Sequence, residues 1–234
     1  MPKLLVAALA ALWLLRTGVP PAATELRVLF IGNSLTSAND LPSLVKNLGA
    51  ADGVSIRTSM VAMNDFGLAE HWSDGRAARE IRKGGWDFVV LQQGPSALPE
   101  SRVVLREEAA RFALLIRAAA ARPALYMVWP SRQRSADFDR VSGSYAIAAA
   151  DVDAVLLPAG EAWRAMWAHA PDAKLYAADD FHPSPDGSWL AALVIYCGLA
   201  GRAPSAITKF PDGFPRNREL FVGAALSALN GERR

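Results

Sequence analysis

The 234-residue chain holds one cysteine, Cys197, so no internal disulfide can form. Its apolar setting, Leu193-Val194-Ile195-Tyr196, suits a small buried hydrophobe rather than a reactive thiol. Histidine is scarce too: His71, His169 and His182 are dispersed, without a His-Glu-x-x-His pattern. Zinc therefore finds no ligand set of familiar spacing. Asp179 and Asp180 are able to hold a hard cation, but nothing in the pattern requires one, and neither metal nor cofactor is expected. Only one glycine, Gly32, follows the first apolar strand, where phosphate loops and dinucleotide sites need several. Neither sign of charge dominates: 25 basic against 23 acidic residues leave +2, with Arg132 and Arg134 the only tight central pair. Nucleic acid is thus not an expected partner. Beyond the N-terminus no segment reads as transmembrane, a spanning helix needing about 20 apolar residues.

What is present is a globular composition, 52% hydrophobic and 21% charged. Met1-Pro2-Lys3, an apolar run from Leu4 to Leu15, Arg16 and a Pro/Ala stretch to Thr24 read as a secretory signal. The expected organisation is a signal peptide at 1–23 and one domain at 24–234, secreted or periplasmic. An uncleaved leader acting as an anchor is the alternative and the only expected tie to a membrane.

After the leader, apolar runs alternate with helical patterns. Strands are expected at Leu26–Ile31, Val54–Val61, Asp87–Leu91, Ala124–Trp129 and Ala154–Leu157. Helices are expected at Leu41–Ala51, Leu68–Arg82, Val103–Ala121, Glu161–His169, Ser188–Leu199 and Arg218–Leu229, with the end of another at Ser144–Ala150. Near-continuously apolar strands separated by helices imply parallel βαβ units, hence an α/β fold: a three-layer sandwich with right-handed crossovers. Ligands in such sheets sit at the carboxyl ends of strands. Ser34 lies just past the first strand, Gln92 and Gln93 just past the third, and the Asp179–His182 loop precedes a late helix. The segment Phe210–Phe221, with Pro211, Gly213 and Pro215, either covers the site or packs the end of the domain.

Two distant segments carry the chemistry. Val28-Leu29-Phe30-Ile31-Gly32-Asn33-Ser34 is an apolar strand running into a tight turn that ends on a hydroxyl. A serine there is exposed, and neighbouring backbone N–H groups can face a developing oxyanion; the plainer reading is a capping residue. Asp179-Asp180-Phe181-His182-Pro183 places a histidine in a restrained turn, with either aspartate able to orient its ring. His169 reads as a surface or capping residue, and His71 as a packed residue or one at the rim of the site. A nucleophile, a base and an orienting acid are the three parts that activate a hydroxyl at neutral pH.

Gly32-Asn33-Ser34-Leu35-Thr36 after an apolar strand resembles the first block of the SGNH hydrolases, the GDSL-like lipases and esterases, and Asp179-x-x-His182-Pro183 resembles their last. The resemblance spans about Leu26 to Leu199. It implies a flavodoxin-like three-layer α/β/α sandwich with a mainly parallel five-stranded sheet. It makes Ser34 the nucleophile, His182 the base and acid, and Asp179 the orienting carboxylate of a serine esterase. Oxyanion donors would come from the Ser34 N–H and from the middle blocks, where this chain departs from the family's glycine and asparagine: Gln92, Gln93 and Asn64 are the candidates. The expected substrate is a small-molecule or glycan ester. Trp72, Trp129 and Trp189 are candidates for stacking on a sugar. An O-acyltransferase with the same triad, or a non-catalytic glycan- or envelope-binding module on the same fold, remain the other readings.

Overall fold

The computed structural model describes residues 25–231; the expected leader lies outside them. Five strands form one sheet: β1 (Leu26–Gly32), β2 (Ile56–Ala62), β3 (Phe88–Leu91), β4 (Arg122–Tyr126) and β5 (Val155–Leu157). Their order is β2-β1-β3-β4-β5 and every pairing is parallel. The strand residues explain the order. Phe88-Val89-Val90-Leu91 is buried on both faces and takes the middle of the sheet, whereas β2 leaves Met60 exposed, as an edge strand can.

Parallel strands need crossovers, and these are helical. Among the helices, α1 (Ser34–Ser37), α2 (Leu41–Ala51), α3 (Leu68–Asp74), α4 (Arg76–Arg82), α5 (Pro99–Ala118), α6 (Phe138–Asp151) and α7 (Ala159–His169) follow the strands, and α8 (Pro185–Ala200) and α9 (Arg218–Gly231) complete the chain. Helix α2 packs on α8, and α8 on α7 and α9; α5 packs on α3, α4 and α6. Helix α8 is apolar on all sides and accordingly deep: Leu190, Leu193, Val194 and Ile195 are fully buried. Each such side chain contributes about 1.5–3 kcal/mol relative to exposure. No helix among the described residues is long and apolar enough to cross a membrane.

Several boundaries differ from the sequence expectation, and β4 stops at Tyr126 rather than Trp129. The single helix read over 68–82 is two, because Gly75 takes φ +78°, a left-handed conformation that caps α3 through its N–H to the His71 carbonyl and turns the chain into α4. Helix α5 starts at Pro99 rather than Val103, proline being well placed in a first turn. Helix α6 starts at Phe138, and only its end showed a helical pattern. The 210–221 segment packs the end of the domain: Phe214 is buried against Trp189, Phe210 and Phe221. Cys197 is buried, and its desolvation pushes the thiol up to about 12.

Candidate active site

Between β1 and β3 the order of strands reverses, and the crevice at their carboxyl ends is where open α/β sheets bind ligands. The chain leaves β1 at Gly32 and turns at Asn33, whose side chain accepts from the Leu35 N–H at 3.0 Å and caps α1. The Gly32–Asn33 peptide is held on both sides. Its carbonyl accepts from His71 Nε2 at 2.8 Å and from the Met63 N–H at 3.1 Å. Its N–H donates to Gln92 Oε1 at 2.9 Å, an oxygen that also accepts from the Thr36 hydroxyl at 2.7 Å. No side chain fits at position 32: a Cβ would lie 2.3 Å from Thr36 Oγ1 and 2.4 Å from Gln92 Oε1. The Asn33 amide donates to the Phe66 carbonyl at 3.0 Å, tying the turn to the loop after β2. Ser34 is thus carried on a turn with little freedom.

The second segment arrives from the far end of the sequence. His182 Nε2 lies 2.8 Å from Ser34 Oγ, and His182 Nδ1 lies 2.6 Å from Asp179 Oδ2. The other Asp179 oxygen accepts from the backbone N–H groups of Phe181 and His182 at 3.0 and 2.9 Å. The bond to the His182 ring, followed by these two N–H groups, holds the Asp179 carboxyl down at about 2. An ionised acceptor at Nδ1 keeps the proton there, so the Nε2 lone pair faces the serine hydroxyl. Asp180, the other possible partner, points elsewhere: at φ +59° it accepts from Arg132 Nε at 2.6 Å and, through its carbonyl, from the Arg132 N–H at 2.9 Å.

The loop around His182 is fixed by elements that the sequence did not single out for this purpose. Trp129, past the end of β4, donates from Nε1 to the Phe181 carbonyl at 3.0 Å and stacks on Trp163 at 3.4 Å between ring centroids. Tyr176 donates to the Pro130 carbonyl at 2.6 Å and pairs with Pro183. Asn39 donates to the Pro183 carbonyl at 3.0 Å. In the sequence Trp129 stood at the end of an expected strand and as a candidate for stacking on a sugar, and nothing singled out Tyr176.

The expected oxyanion residues separate. Gln92 has no exposed surface, and its Nε2 is committed to the Gln93 carbonyl at 2.7 Å. Gln93 is buried, its amide donating toward Ser96 Oγ at 3.2 Å and the Ser101 carbonyl at 3.4 Å while accepting from the Leu68 N–H at 3.3 Å. Both glutamines are therefore structural members of the floor. Asn64 is exposed on the loop after β2 with no side-chain partner among the described residues, and the Ser34 N–H has none either. His71 is buried directly beneath the turn, not at the rim. Because Gly32 offers it a carbonyl, Nε2 carries the proton, and Nδ1 has no partner among the described residues. Desolvation holds its pKa below the ordinary value, which keeps the ring neutral. Of the proposed stacking tryptophans, Trp129 and Trp189 are buried, and Trp72 is half-buried against Phe112 and Arg111.

No family model and no curated protein matches the chain. Solved structures do. A protein from Slackia heliotrinireducens assigned to the SGNH hydrolases is 32% identical, aligning 74% of this chain with 98% of its own at a TM-score of 0.61. A DUF4886 family protein from Bacteroides uniformis is 16% identical over 90% of this chain and 97% of its own, at 0.77. A lipase/acylhydrolase from Enterococcus faecalis is 17% identical over 75% and 96%, at 0.62. These last two likenesses are of fold.

Proposed function

The chain belongs to the SGNH hydrolase family, serine hydrolases that cleave ester bonds, and from that premise we propose that it is an exported esterase acting through Ser34, His182 and Asp179. The observation that carries this reading is the continuous chain of contacts from Ser34 Oγ to His182 Nε2 at 2.8 Å and from His182 Nδ1 to Asp179 at 2.6 Å. Both distances lie within the reach that base and nucleophile require.

Ser34 Oγ bonds to the ester carbonyl carbon as His182 Nε2 takes the hydroxyl proton, and the carbonyl electron pair moves onto oxygen. The Ser34 N–H, without another partner among the described residues, supplies one donor to this oxyanion, and the exposed Asn64 amide is the candidate for a second. Collapse breaks the bond to the alcohol, whose oxygen receives the proton from His182. Water then gives a proton to His182 and bonds to the acyl carbon; collapse breaks the bond from that carbon to Ser34 Oγ, which takes the proton back from His182, and the acid leaves. Asp179 stays ionised and steadies the imidazolium. The side chains of His182 and Asp179 are 37% and 52% exposed, so bulk water has access to the acyl-enzyme. That access favours hydrolysis over acyl transfer to an alcohol. Export rests on the apolar leader at 1–23. The substrates proposed are acyl or acetyl esters of carbohydrates, lipids or small alcohols.

The test is hydrolysis of p-nitrophenyl acetate and butyrate by the mature protein and by Ser34→Ala, with covalent labelling by a fluorophosphonate as a second readout. Turnover and labelling that both vanish in a folded Ser34→Ala variant support the proposal. Wild-type protein that neither turns over esters nor takes the label, or a variant that retains turnover, rejects it.

A further inference from the structure

We propose that Asn39 is a positioning residue of the esterase, the side chain that holds the His182 loop in register with Ser34; this rests on the esterase reading above. Ser34 and Asn39 belong to one short stretch of chain. Helix α1 is a single turn, closed where the Ala38 N–H donates to the Ser34 carbonyl, and Asn39 follows directly. The Asn39 amide then reaches out of its own segment. Its Nδ2 donates to the Pro183 carbonyl at 3.0 Å and to Ser188 Oγ at 2.9 Å, so both amide protons are used. Pro183 is the residue after His182, and Ser188 lies near the start of α8. Asn39 itself is at the surface, whereas Ser188 is buried.

Three observations separate this role from that of an ordinary turn residue. An asparagine between two helices is expected to cap one of them, yet α1 is capped by Asn33 and α2 has no side-chain cap. The backbone is also held in a costly shape. Asn39 has φ +52° and Asp40 φ +51°, two successive non-glycine residues in the left-handed conformation. Such strain persists where the surroundings over-determine it. Finally, the two bonds from Asn39 are, apart from the Ser34–His182 contact itself, the hydrogen bonds that join residues 33–40 to residues 179–188 among the described residues. The packing of α2 on α8 brings the two segments together. Burial of apolar surface has no direction, however, and a hydrogen bond does. Ser34, the turn of α1, Asn39, Pro183 and His182 thus form a closed ring whose last link is the 2.8 Å contact between nucleophile and base. A displacement of about 1 Å at such a contact costs on the order of 10²-fold in rate.

Two variants test the tie. Asn39→Gly keeps the left-handed turn and removes both donors. Asn39→Asp keeps the shape of the side chain, but its carboxylate only accepts. Each should lower kcat for p-nitrophenyl acetate by about 10- to 100-fold, with KM changed less than about threefold and the circular dichroism of the wild type retained. A second readout is non-additivity. In a His182→Ala background, Asn39→Gly should change the residual turnover by less than about threefold, because a residue that acts through the base has nothing left to position. A merely structural role would lower turnover in both backgrounds. A third readout, hydrogen exchange, is independent of ester cleavage. The backbone amides of 177–184 should exchange at least roughly tenfold faster in Asn39→Gly, while those of β1 and β3 keep their rates. Active wild type with both variants within about threefold of its kcat overturns the positioning role and leaves the esterase reading in place. So does an Asn39→Gly effect that persists undiminished without His182. If the wild type cleaves no ester, the esterase reading falls and exchange alone decides the tie: unchanged rates at 177–184 overturn it, and selective acceleration there supports it.

Discussion

Replacing Gln92 distinguishes a donor to the reaction from a hub that holds the nucleophile turn. Its Oε1 accepts from the Asn33 N–H at 2.9 Å and the Thr36 hydroxyl at 2.7 Å, its Nε2 donates to the Gln93 carbonyl at 2.7 Å, and the Gln92 side chain itself has no exposed surface. Methionine keeps most of the volume and removes the acceptor. Two buried donors then lose their partner, at about 1–3 kcal/mol each, so Gln92→Met should lower the unfolding free energy by roughly 2–6 kcal/mol. Gln92→Ala should cost more, because a cavity is added to the same loss. Urea denaturation at pH 7, read as midpoint and slope, measures both variants. Activity should fall alongside stability, since Ser34 is carried by the peptide that Gln92 holds. A Gln92→Met protein within 1 kcal/mol of wild type whose kcat is nonetheless reduced about 10²–10³-fold would refute this reasoning, that being the signature of a lost oxyanion donor.

Asp179→Asn should lower kcat by about 10³–10⁴-fold with little change in KM, since the amide no longer fixes the Nδ1–H tautomer; stopped-time ester assays at pH 7 measure this. Gly32→Ala should yield little folded protein, because its Cβ would overlap Thr36 Oγ1 at 2.3 Å and Gln92 Oε1 at 2.4 Å, and soluble expression with circular dichroism tests it. Asp52→Asn breaks a bidentate pair with Arg202 at 2.8 and 3.0 Å and a bond from the Tyr196 hydroxyl at 2.5 Å, with an expected loss of about 1–3 kcal/mol at pH 7. The bond from Arg202 holds the Asp52 carboxyl below its ordinary value. Its stabilising effect is therefore complete above the unfolded carboxylate value of about 3.9 and is lost as pH falls through the lower folded one. The gap between Asp52→Asn and wild type in urea midpoint should narrow steadily as pH falls below about 4, and a gap that widens on acidification would contradict the assignment.

Much of the architecture could be read along the chain, because parallel strands buried on both faces are apolar throughout. Phe88-Val89-Val90-Leu91 and Val28-Leu29-Phe30-Ile31 announce themselves, and their alternation with helices implies crossovers in one sheet. The break at Gly75 was hidden because a helical hydrophobic pattern continues across it; only the left-handed backbone separates the two helices. Ser34, Asp179 and His182 stood out through local turn chemistry and a three-residue spacing. The three-residue spacing favoured Asp179 over its neighbour Asp180, and the two differ in orientation in the fold, Asp179 facing His182 and Asp180 facing Arg132. Gln92 and Gln93 looked equally suited to donate to an oxyanion, because an amide's availability depends on whether its protons are already committed, a property of neighbours distant in the chain.

The sequence by itself determined the α/β alternation, the glycine-bounded serine turn and the carboxylate–histidine spacing, all set by interactions within a few residues. Only the tertiary structure decided that Ser34 and His182, 148 positions apart, meet at 2.8 Å. It alone placed His71 and Gln92 on opposite sides of the Gly32–Asn33 peptide. The reason is physical: local pattern fixes which face and which turn a residue occupies, whereas contact across a sheet depends on strand order and on the packing of helices drawn from the whole chain.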